Sequence, residues 1–264
     1  MRSGIREYLI VSIGVLSTAF GIPADESTIQ KADSLYREMK RSSGAAAERA
    51  GMAARRSYAV IMANGAPEHI LYRYADTVST VHFSLDIGTC DEKKRAYRDA
   101  LALIAKCSTN TNTSAVYHLS SALLFARMID CADAFEIAGS GYADRIRYHL
   151  DRCLSLGNNF APDLTFLFYG RLHAIAPHVP IFQTWPDKAK AREYYERSLA
   201  INPNSLVARF FHADLLHDAG DRDRAMQMFR DIARVAPSAD DRASDTKTIA
   251  MCKTRMKAFG IAEQ

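Results

Sequence analysis

Residues 188–204 read KAKAREYYERSLAINPN, and residues 222–238, which lie 34 positions further along, read RDRAMQMFRDIARVAPS. Both segments carry a small residue, an aromatic residue four positions after it and a proline twelve positions after it. A repeat of this length predicts that the chain is built from copies of one structural unit. The matching residues are Ala191, Tyr195 and Pro203 in the first segment and Ala225, Phe229 and Pro237 in the second.

The spacing inside each copy predicts a helix. Positions four apart lie on one helical face, so the aromatic ring covers the small residue, and the proline stands just past the last turn. This pattern is the second half of a tetratricopeptide (TPR) unit, which is a pair of helices. Elsewhere after residue 21, apolar residues recur three or four positions apart, which also favours helices. We therefore expect an all-α fold, a TPR-like helical-repeat superhelix of about ten helices.

Four helix pairs are predicted after Pro67, each with a small residue in its first helix where the two helices approach closely. In the last pair, the corresponding position of the second helix follows 12 residues later, as in a compact TPR unit. In the three earlier pairs the step is 21, 24 and 21 residues, which predicts insertions at residues 86–94, 130–141 and 177–186. The four small residues are Ala75, Ala122, Gly170 and Ala213.

The third insertion is the most distinctive. It contains three prolines, Phe182 and Trp185, the only tryptophan of the chain. Prolines stiffen the backbone, and the two large rings make the segment apolar. Two interpretations stay open: the segment caps the helix pair beneath it, or Phe182 and Trp185 form a rim that contacts a ligand or partner. Insertions at one position of a repeat stack on one edge of the solenoid, where function is often placed.

The amino terminus resembles a targeting signal. Arg2 and Arg6 precede a mostly apolar run, residues 8–20, which is too short to span a bilayer comfortably. We expect residues 1–21 to be a signal peptide, with a short uncleaved anchor as the alternative. Residues 22–264 are then a single TPR-like domain, exported to the periplasm or associated with a membrane.

Composition and motifs argue against several functions. The 34 basic and 30 acidic residues are spread along the chain, without the basic face that nucleic-acid binding needs. The five cysteines form no CxxC pair, so no zinc or redox motif is predicted. The sequence contains no Walker A loop, GxSxG elbow or HExxH pair. We therefore predict no enzyme activity, no cofactor, no metal and no nucleic-acid partner.

The repeat also predicts a binding groove. In a TPR solenoid the first helix of each pair lines the concave surface, with residues three before and one after the small residue facing inward. Arg171 among leucines would suit an organic anion, because guanidinium binds a carboxylate while leucine buries hydrocarbon. In the alternative, the leucines pack against the next helix and Arg171 pairs with a neighbouring carboxylate. The predicted groove residues are Tyr72, Asp76, Leu119, Leu123, Leu167, Arg171, Phe210 and Asp214.

Three segments carry a resemblance to a known family. Residues 168–172 (FYGRL), a proline-containing loop, residues 188–199 (KAKAREYYERSL) and residues 202–204 (NPN) resemble the TPR-like proteins associated with TRAP transporters, the T-component or TatT family. The related regulator-of-microtubule-dynamics proteins share much of this layout. The resemblance spans residues 67–257. The chain departs from lipoprotein T-components because no cysteine lies in or just after its apolar run at residues 8–20.

The resemblance implies a non-catalytic periplasmic protein that associates with a TRAP solute-binding receptor and has a cavity for an apolar ligand. The leading hypothesis is therefore an accessory component of a TRAP-type uptake system that binds the receptor and an apolar or carboxylated solute. The alternative is a general TPR scaffold that grips a protein partner, either in the periplasm or tethered to a membrane inside the cell. Both hypotheses leave a homo-oligomer open.

Overall fold

The computed structural model describes residues 25–108, 111–157, 159–176 and 185–260, and these are helical almost throughout. Within those ranges there are twelve α-helices and no strand, so the predicted all-α helical-repeat fold is confirmed. The helices are α1 (Glu26–Arg41), α2 (Gly44–Ala63), α3 (Glu68–Ser79), α4 (Cys90–Cys107), α5 (Ala115–Ile129), α6 (Ala134–Ser140), α7 (Tyr142–Ser155), α8 (Pro162–Ile175), α9 (Lys188–Ile201), α10 (Leu206–Asp218), α11 (Arg222–Arg234) and α12 (Arg242–Ala258).

Local sequence signals set where several helices begin. The Asp25 carboxylate accepts the Thr28 N–H at 2.7 Å and caps α1. Thr89 and Glu92 form a reciprocal capping box at the start of α4, which satisfies two backbone donors that a helix leaves unpaired. Pro162 opens α8 in the first turn, where the absent N–H has no helical partner to lose.

Successive helices pack in pairs: α1 with α2, α3 with α4, α5 with α7, α8 with α9, and α10 with α11. The predicted small residues are all buried. Ala75, Ala122 and Ala213 have no exposed surface. A Cβ built on Gly170 would stand 2.5 Å from Cδ1 of Tyr195, so the aromatic residue of α9 occupies the space that glycine leaves on α8.

Two of the three predicted insertions are largely helical. In the first, α3 is prolonged by a π-helical turn, Thr80–Ser84, and α4 already begins at Cys90, so longer helices absorb most of the longer step. The second contains the short helix α6. This helix and the terminal α12 raise the number of helices from the expected ten to twelve. Most of the third insertion, including Phe182, lies outside the described residues.

The last helix returns to the first. Helix α12 contacts α10 and α11, and it also contacts α1 and the π-helical turn. Lys40 of α1 lies 2.8 Å from the Asp241 carboxylate, which directly precedes α12. The two ends of the described helical array are therefore joined. In the part of the chain that the structure describes, no helix has the length and apolar character needed to cross a membrane.

Candidate functional site

The four apolar residues of the predicted groove lie in the interior. Leu119 is fully buried, and Leu123, Leu167 and Phe210 expose 4% of their surface or less. Leu123, Leu167 and Phe210 belong to the hydrophobic clusters that hold neighbouring helices together. Their side chains therefore contribute packing and offer almost no surface to a ligand.

The two acidic residues of the predicted groove are paired to helices at the ends of the array. Asp76 accepts the Tyr36 hydroxyl at 2.7 Å and lies 3.3 Å from Nζ of Lys40, both on α1. Asp214 is buried, and its carboxylate lies 2.7 Å from Nε of Arg255 on α12. These carboxylates hold α1 and α12 in place, so their charges are already neutralised within the chain.

The remaining two predicted groove residues are half-buried. Tyr72 makes an edge contact with Phe160, with ring centroids 5.3 Å apart, and burial raises the pKa of its hydroxyl. The Arg171 guanidinium lies 4.3 Å from the centre of the Phe211 ring. Arg171 forms no ion pair within the described ranges, so it is the one predicted groove residue that keeps an unpaired charge.

A pocket of about 640 Å³ lies elsewhere, between α7, α8 and α9. It is close to the third insertion, and Trp185 from the end of that insertion contributes to its wall. Its size is within the range of small-molecule sites. The lining residues are Arg147, Asp151, Tyr169, His173, Trp185, Pro186, Asp187, Lys188, Lys190 and Tyr194.

Helical periodicity places the pocket residues on shared faces. Arg147 and Asp151 are four apart on α7, Tyr169 and His173 are four apart on α8, and Lys190 and Tyr194 are four apart on α9. Residues four apart lie one above the other on a helix. Each helix therefore presents one pair, and the three pairs meet because α8 packs against both α7 and α9.

Four rings form an aromatic wall. Tyr194 is stacked on Tyr169, with centroids 4.7 Å apart and planes 17° from parallel, and on His173 at 5.6 Å and 24°. Trp185 meets His173 edge-on at 5.5 Å. The Trp185 Nε1 atom is buried and has no hydrogen-bond partner among the described residues. Tyr169 and His173 are buried, so the accessible apolar surface of the wall comes mainly from the half-buried rings of Tyr194 and Trp185.

The charged side chains of the pocket differ in how far they are already paired. Asp151 accepts a hydrogen bond from the Tyr169 hydroxyl and lies 3.9 Å from Nε of Arg147. Asp187 accepts the Ala189 N–H at 2.8 Å and so caps α9. Lys188 and Lys190 are exposed, and neither makes an ion pair within the described part of the chain. The pocket therefore has an excess of unpaired positive charge.

His173 is held in its neutral form. Its Nδ1 atom accepts the Asp187 N–H at 3.2 Å, so the ring proton of the neutral form sits on Nε2. Burial lowers the pKa of His173, and the nearby positive charges of Lys190 and Arg147 lower it further. Near neutral pH the ring can donate a hydrogen bond through Nε2 but has no free nitrogen to accept one.

The pocket includes one residue predicted as part of the rim, Trp185. Sequence reasoning missed the others, although a signal was present. Phe166, Tyr169 and His173 recur along one side of α8, and Tyr194 follows the same proline-rich insertion. Aromatic residues at helical spacing beside an irregular insertion are a pattern that could have predicted the aromatic wall of the pocket.

Comparison with known proteins adds no family assignment. No protein-family model matches this chain, and no curated protein is similar to it. Within the described ranges, no three His, Cys, Asp or Glu side chains are grouped so that they could hold a metal ion. The fold and the pocket define an all-α helical-repeat protein with a cavity of ligand size.

Proposed function

We propose that this chain is a non-catalytic binding protein that holds an organic anion with a flat apolar body in the pocket between α7, α8 and α9. The main support is the composition of the pocket: the stacked rings of Tyr169, His173 and Tyr194 lie beside two lysines that make no ion pair within the described residues. These lysines are Lys188 and Lys190. A planar hydrocarbon would lie against the half-buried rings of Tyr194 and Trp185, and a carboxylate or sulfonate would face Lys188 and Lys190.

Aromatic contacts and electrostatic attraction together favour a ligand with both a flat apolar body and an anionic group. Aromatic contacts contribute about 0.5–1.5 kcal/mol beyond burial of area, and an exposed lysine adds a modest attraction that salt weakens. A purely apolar ligand would leave both lysine charges without a partner.

The pocket chemistry also supports binding over catalysis. The Tyr169 hydroxyl donates to Asp151, and burial raises its pKa, so it stays protonated near neutral pH. The Nδ1 atom of His173, which would have to accept a proton, is occupied by a backbone N–H. General acid–base chemistry needs a group that can exchange a proton with the substrate, and neither group is arranged to do so.

The biological role in this proposal follows the family resemblance. The chain would be exported, bind the solute-binding receptor of a TRAP-type uptake system and hold the solute in the pocket. The support is the order of long and short loops in residues 67–257, together with a cavity of suitable size and charge. A general TPR scaffold without a small ligand is the competing function.

The test is recovery of the chain with its partners from the native organism. The full chain, tagged at its carboxyl terminus, is purified from native cells, and mass spectrometry identifies co-purifying proteins and extracted small molecules. We expect a solute-binding receptor and an organic anion. The matched variant Lys188→Ala/Lys190→Ala should retain the receptor and lose most of the small molecule.

Two results separate the parts of the proposal. Recovery of unrelated proteins without a receptor would contradict the role in TRAP-type uptake and favour the scaffold. Recovery of the same small molecule at equal yield with the lysine variant would contradict binding in this pocket.

A further inference from the structure

The pocket between α7, α8 and α9 has two ends, and a row of rings separates them. The Arg147 guanidinium lies 5.1 Å from the centre of the Trp185 ring. Trp185 contacts His173 with ring centroids 5.5 Å apart, and His173 contacts Tyr194 at 5.6 Å. Tyr194 lies one helical turn after Lys190 on α9. Arg147 and Lys190 therefore stand at opposite ends of the row.

The end of the pocket at α9 has a net positive charge. Lys188 and Lys190 are exposed and make no ion pair within the described ranges. The carboxylate of Asp187, which lies beside them, accepts the Ala189 N–H at 2.8 Å and caps α9. This end therefore suits an anionic group of the ligand.

The end of the pocket at α7 carries one positive and one negative group. The side chains of Arg147 and Asp151, one turn apart on α7, are 43% and 59% exposed. Nε of Arg147 is 3.9 Å from Oδ2 of Asp151, which is too long for a hydrogen bond. The other oxygen of Asp151 accepts the Tyr169 hydroxyl. Arg147 therefore keeps hydrogen-bond donors, and Oδ2 of Asp151 keeps acceptor capacity, toward a ligand.

This pair of charges discriminates between ligand groups. A second anion would be attracted by Arg147 and repelled by Asp151, and the two effects oppose each other at similar distances. A carboxamide would satisfy both side chains, because its carbonyl accepts from Arg147 and its amide N–H donates to Asp151. Hydrogen bonds to charged groups are also stronger than those between neutral groups. The α7 end therefore favours a neutral group that both accepts and donates.

We propose that the ligand of this pocket is a flat organic monoanion with a carboxamide-like group at the end remote from its acid. Its acid group would face the two lysines of α9, and its apolar body would lie against Trp185 and Tyr194. The carboxamide-like group would bridge Arg147 and Asp151. This assignment rests on the proposed function and adds a second point of recognition to it.

The experiment compares three probes that share a naphthalene ring and a carboxylate. They are naphthalene-2-carboxylate, 6-carbamoylnaphthalene-2-carboxylate and naphthalene-2,6-dicarboxylate, here called the plain acid, the carbamoyl acid and the diacid. Titration calorimetry with the full-length chain near neutral pH measures each affinity. We expect the carbamoyl acid to bind about tenfold more tightly than the plain acid, and the diacid to bind no more tightly than the plain acid.

Two variants test the role of the carboxylate. Asp151→Asn removes the negative charge and keeps an amide oxygen that can accept the Tyr169 hydroxyl. The diacid should then gain about tenfold in affinity and become the tightest of the three probes. Asp144→Asn is the matched control, because it removes the same charge from an exposed position of α7 outside the pocket. This control should leave the order of affinities unchanged.

The outcomes separate this inference from the proposed function. A carbamoyl acid that binds no more tightly than the plain acid, or a diacid that binds most tightly to the unchanged chain, would overturn the inference. If all three probes still bind and all are weakened by Lys188→Ala/Lys190→Ala, the proposed function would stand even then. Absence of binding by all three probes would overturn both.

Discussion

The concave positions of the repeat and the pocket between α7, α8 and α9 share helix α8 but differ in what fills them. At the concave positions, Leu119 and Leu167 are buried, and Asp214 is paired with an arginine of α12. In the pocket, Lys188 and Lys190 are exposed and make no ion pair within the described residues. Most of the regular repeat positions are therefore filled by the chain's own packing and ion pairs, whereas exposed charge without an ion pair lies where the third insertion interrupts the repeat.

The largest expected effect is a loss of stability in acid, which tests the packing of the buried helix interfaces. His118 and His149 are buried between α5 and α7 with their Nδ1 atoms 2.9 Å apart. Burial lowers the pKa of each to about 4. Because the unfolded chain binds these protons more readily, stability is complete above pH 6.5 and is lost as pH falls toward 4. We expect a loss of about 4 kcal/mol for the two rings between pH 7.5 and 5.

Urea unfolding at a series of pH values measures this loss. His118→Gln keeps a hydrogen-bond donor for His149 and should remove about half of the acid sensitivity. The exposed residue His69 supplies the control, because His69→Gln should leave the pH dependence unchanged. Equal acid sensitivity in both variants would show that the buried pair is not the cause.

Helix α8 contributes to both the repeat positions and the pocket, so a larger side chain in its contact with α9 should destabilise the fold. Gly170→Ala would place a Cβ 2.5 Å from the Tyr195 ring, which is fully buried and has no space to move. We expect a loss of about 3 kcal/mol in the free energy of unfolding, measured with urea. Gly139→Ala is the matched control, because its Cβ would have no neighbour within 4 Å. A Gly170 variant as stable as the control would contradict the close α8–α9 contact.

Removing the partner of a buried carboxylate should have the next largest effect. Arg255→Met leaves the buried Asp214 without its cation, and we expect a loss of about 2 kcal/mol, since Arg255 itself is partly exposed. The surface pair Arg192–Glu196 has both side chains about half exposed, and Arg192→Met should cost about 0.5 kcal/mol or less. Thermal or urea unfolding compares the two. Equal losses would argue that α12 is not held by this ion pair.

The smallest effect, about 1.4 kcal/mol, is expected for a substitution in the pocket, and it concerns ligand affinity. Tyr194→Leu removes the central ring of the aromatic wall, so affinity for 8-anilinonaphthalene-1-sulfonate, an organic anion with a planar naphthalene ring, should fall about tenfold, or about 1.4 kcal/mol. Titration calorimetry measures this affinity. Tyr148→Leu changes an exposed ring outside the pocket and should have no effect. Equal affinity in both variants would exclude the stacked wall as the binding surface.

Sequence reasoning reached the fold because the fold depends on local spacing. Ala191 and Tyr195 recur as Ala225 and Phe229, and all four are fully buried in the structure. The same spacing predicts which positions face inward, but it contains no information on what covers them. Asp76 is paired with Lys40 of α1, and Asp214 is paired with Arg255 of α12. These ion pairs, like the packing of α12 against α1, join residues far apart in the chain, so local spacing does not predict them.

The pocket was only partly predictable for a related reason. Trp185 stood out because it is the only tryptophan and lies in a proline-rich insertion. Arg147, Tyr169 and Tyr194 come from three helices, and each has an ordinary place in its own helix. Their meeting depends on how α7, α8 and α9 are rotated against one another, which one helix's periodicity does not determine.

The single tryptophan allows binding of an organic anion in the pocket to be tested directly. The full-length chain is titrated with 8-anilinonaphthalene-1-sulfonate while Trp185 is excited, and energy transfer to the bound dye is recorded. We predict saturable transfer, affinity about tenfold weaker in Lys188→Ala/Lys190→Ala, and unchanged affinity in Arg171→Ala. Loss of binding in Arg171→Ala with full binding in the lysine variant would place the site on the concave face and contradict the account.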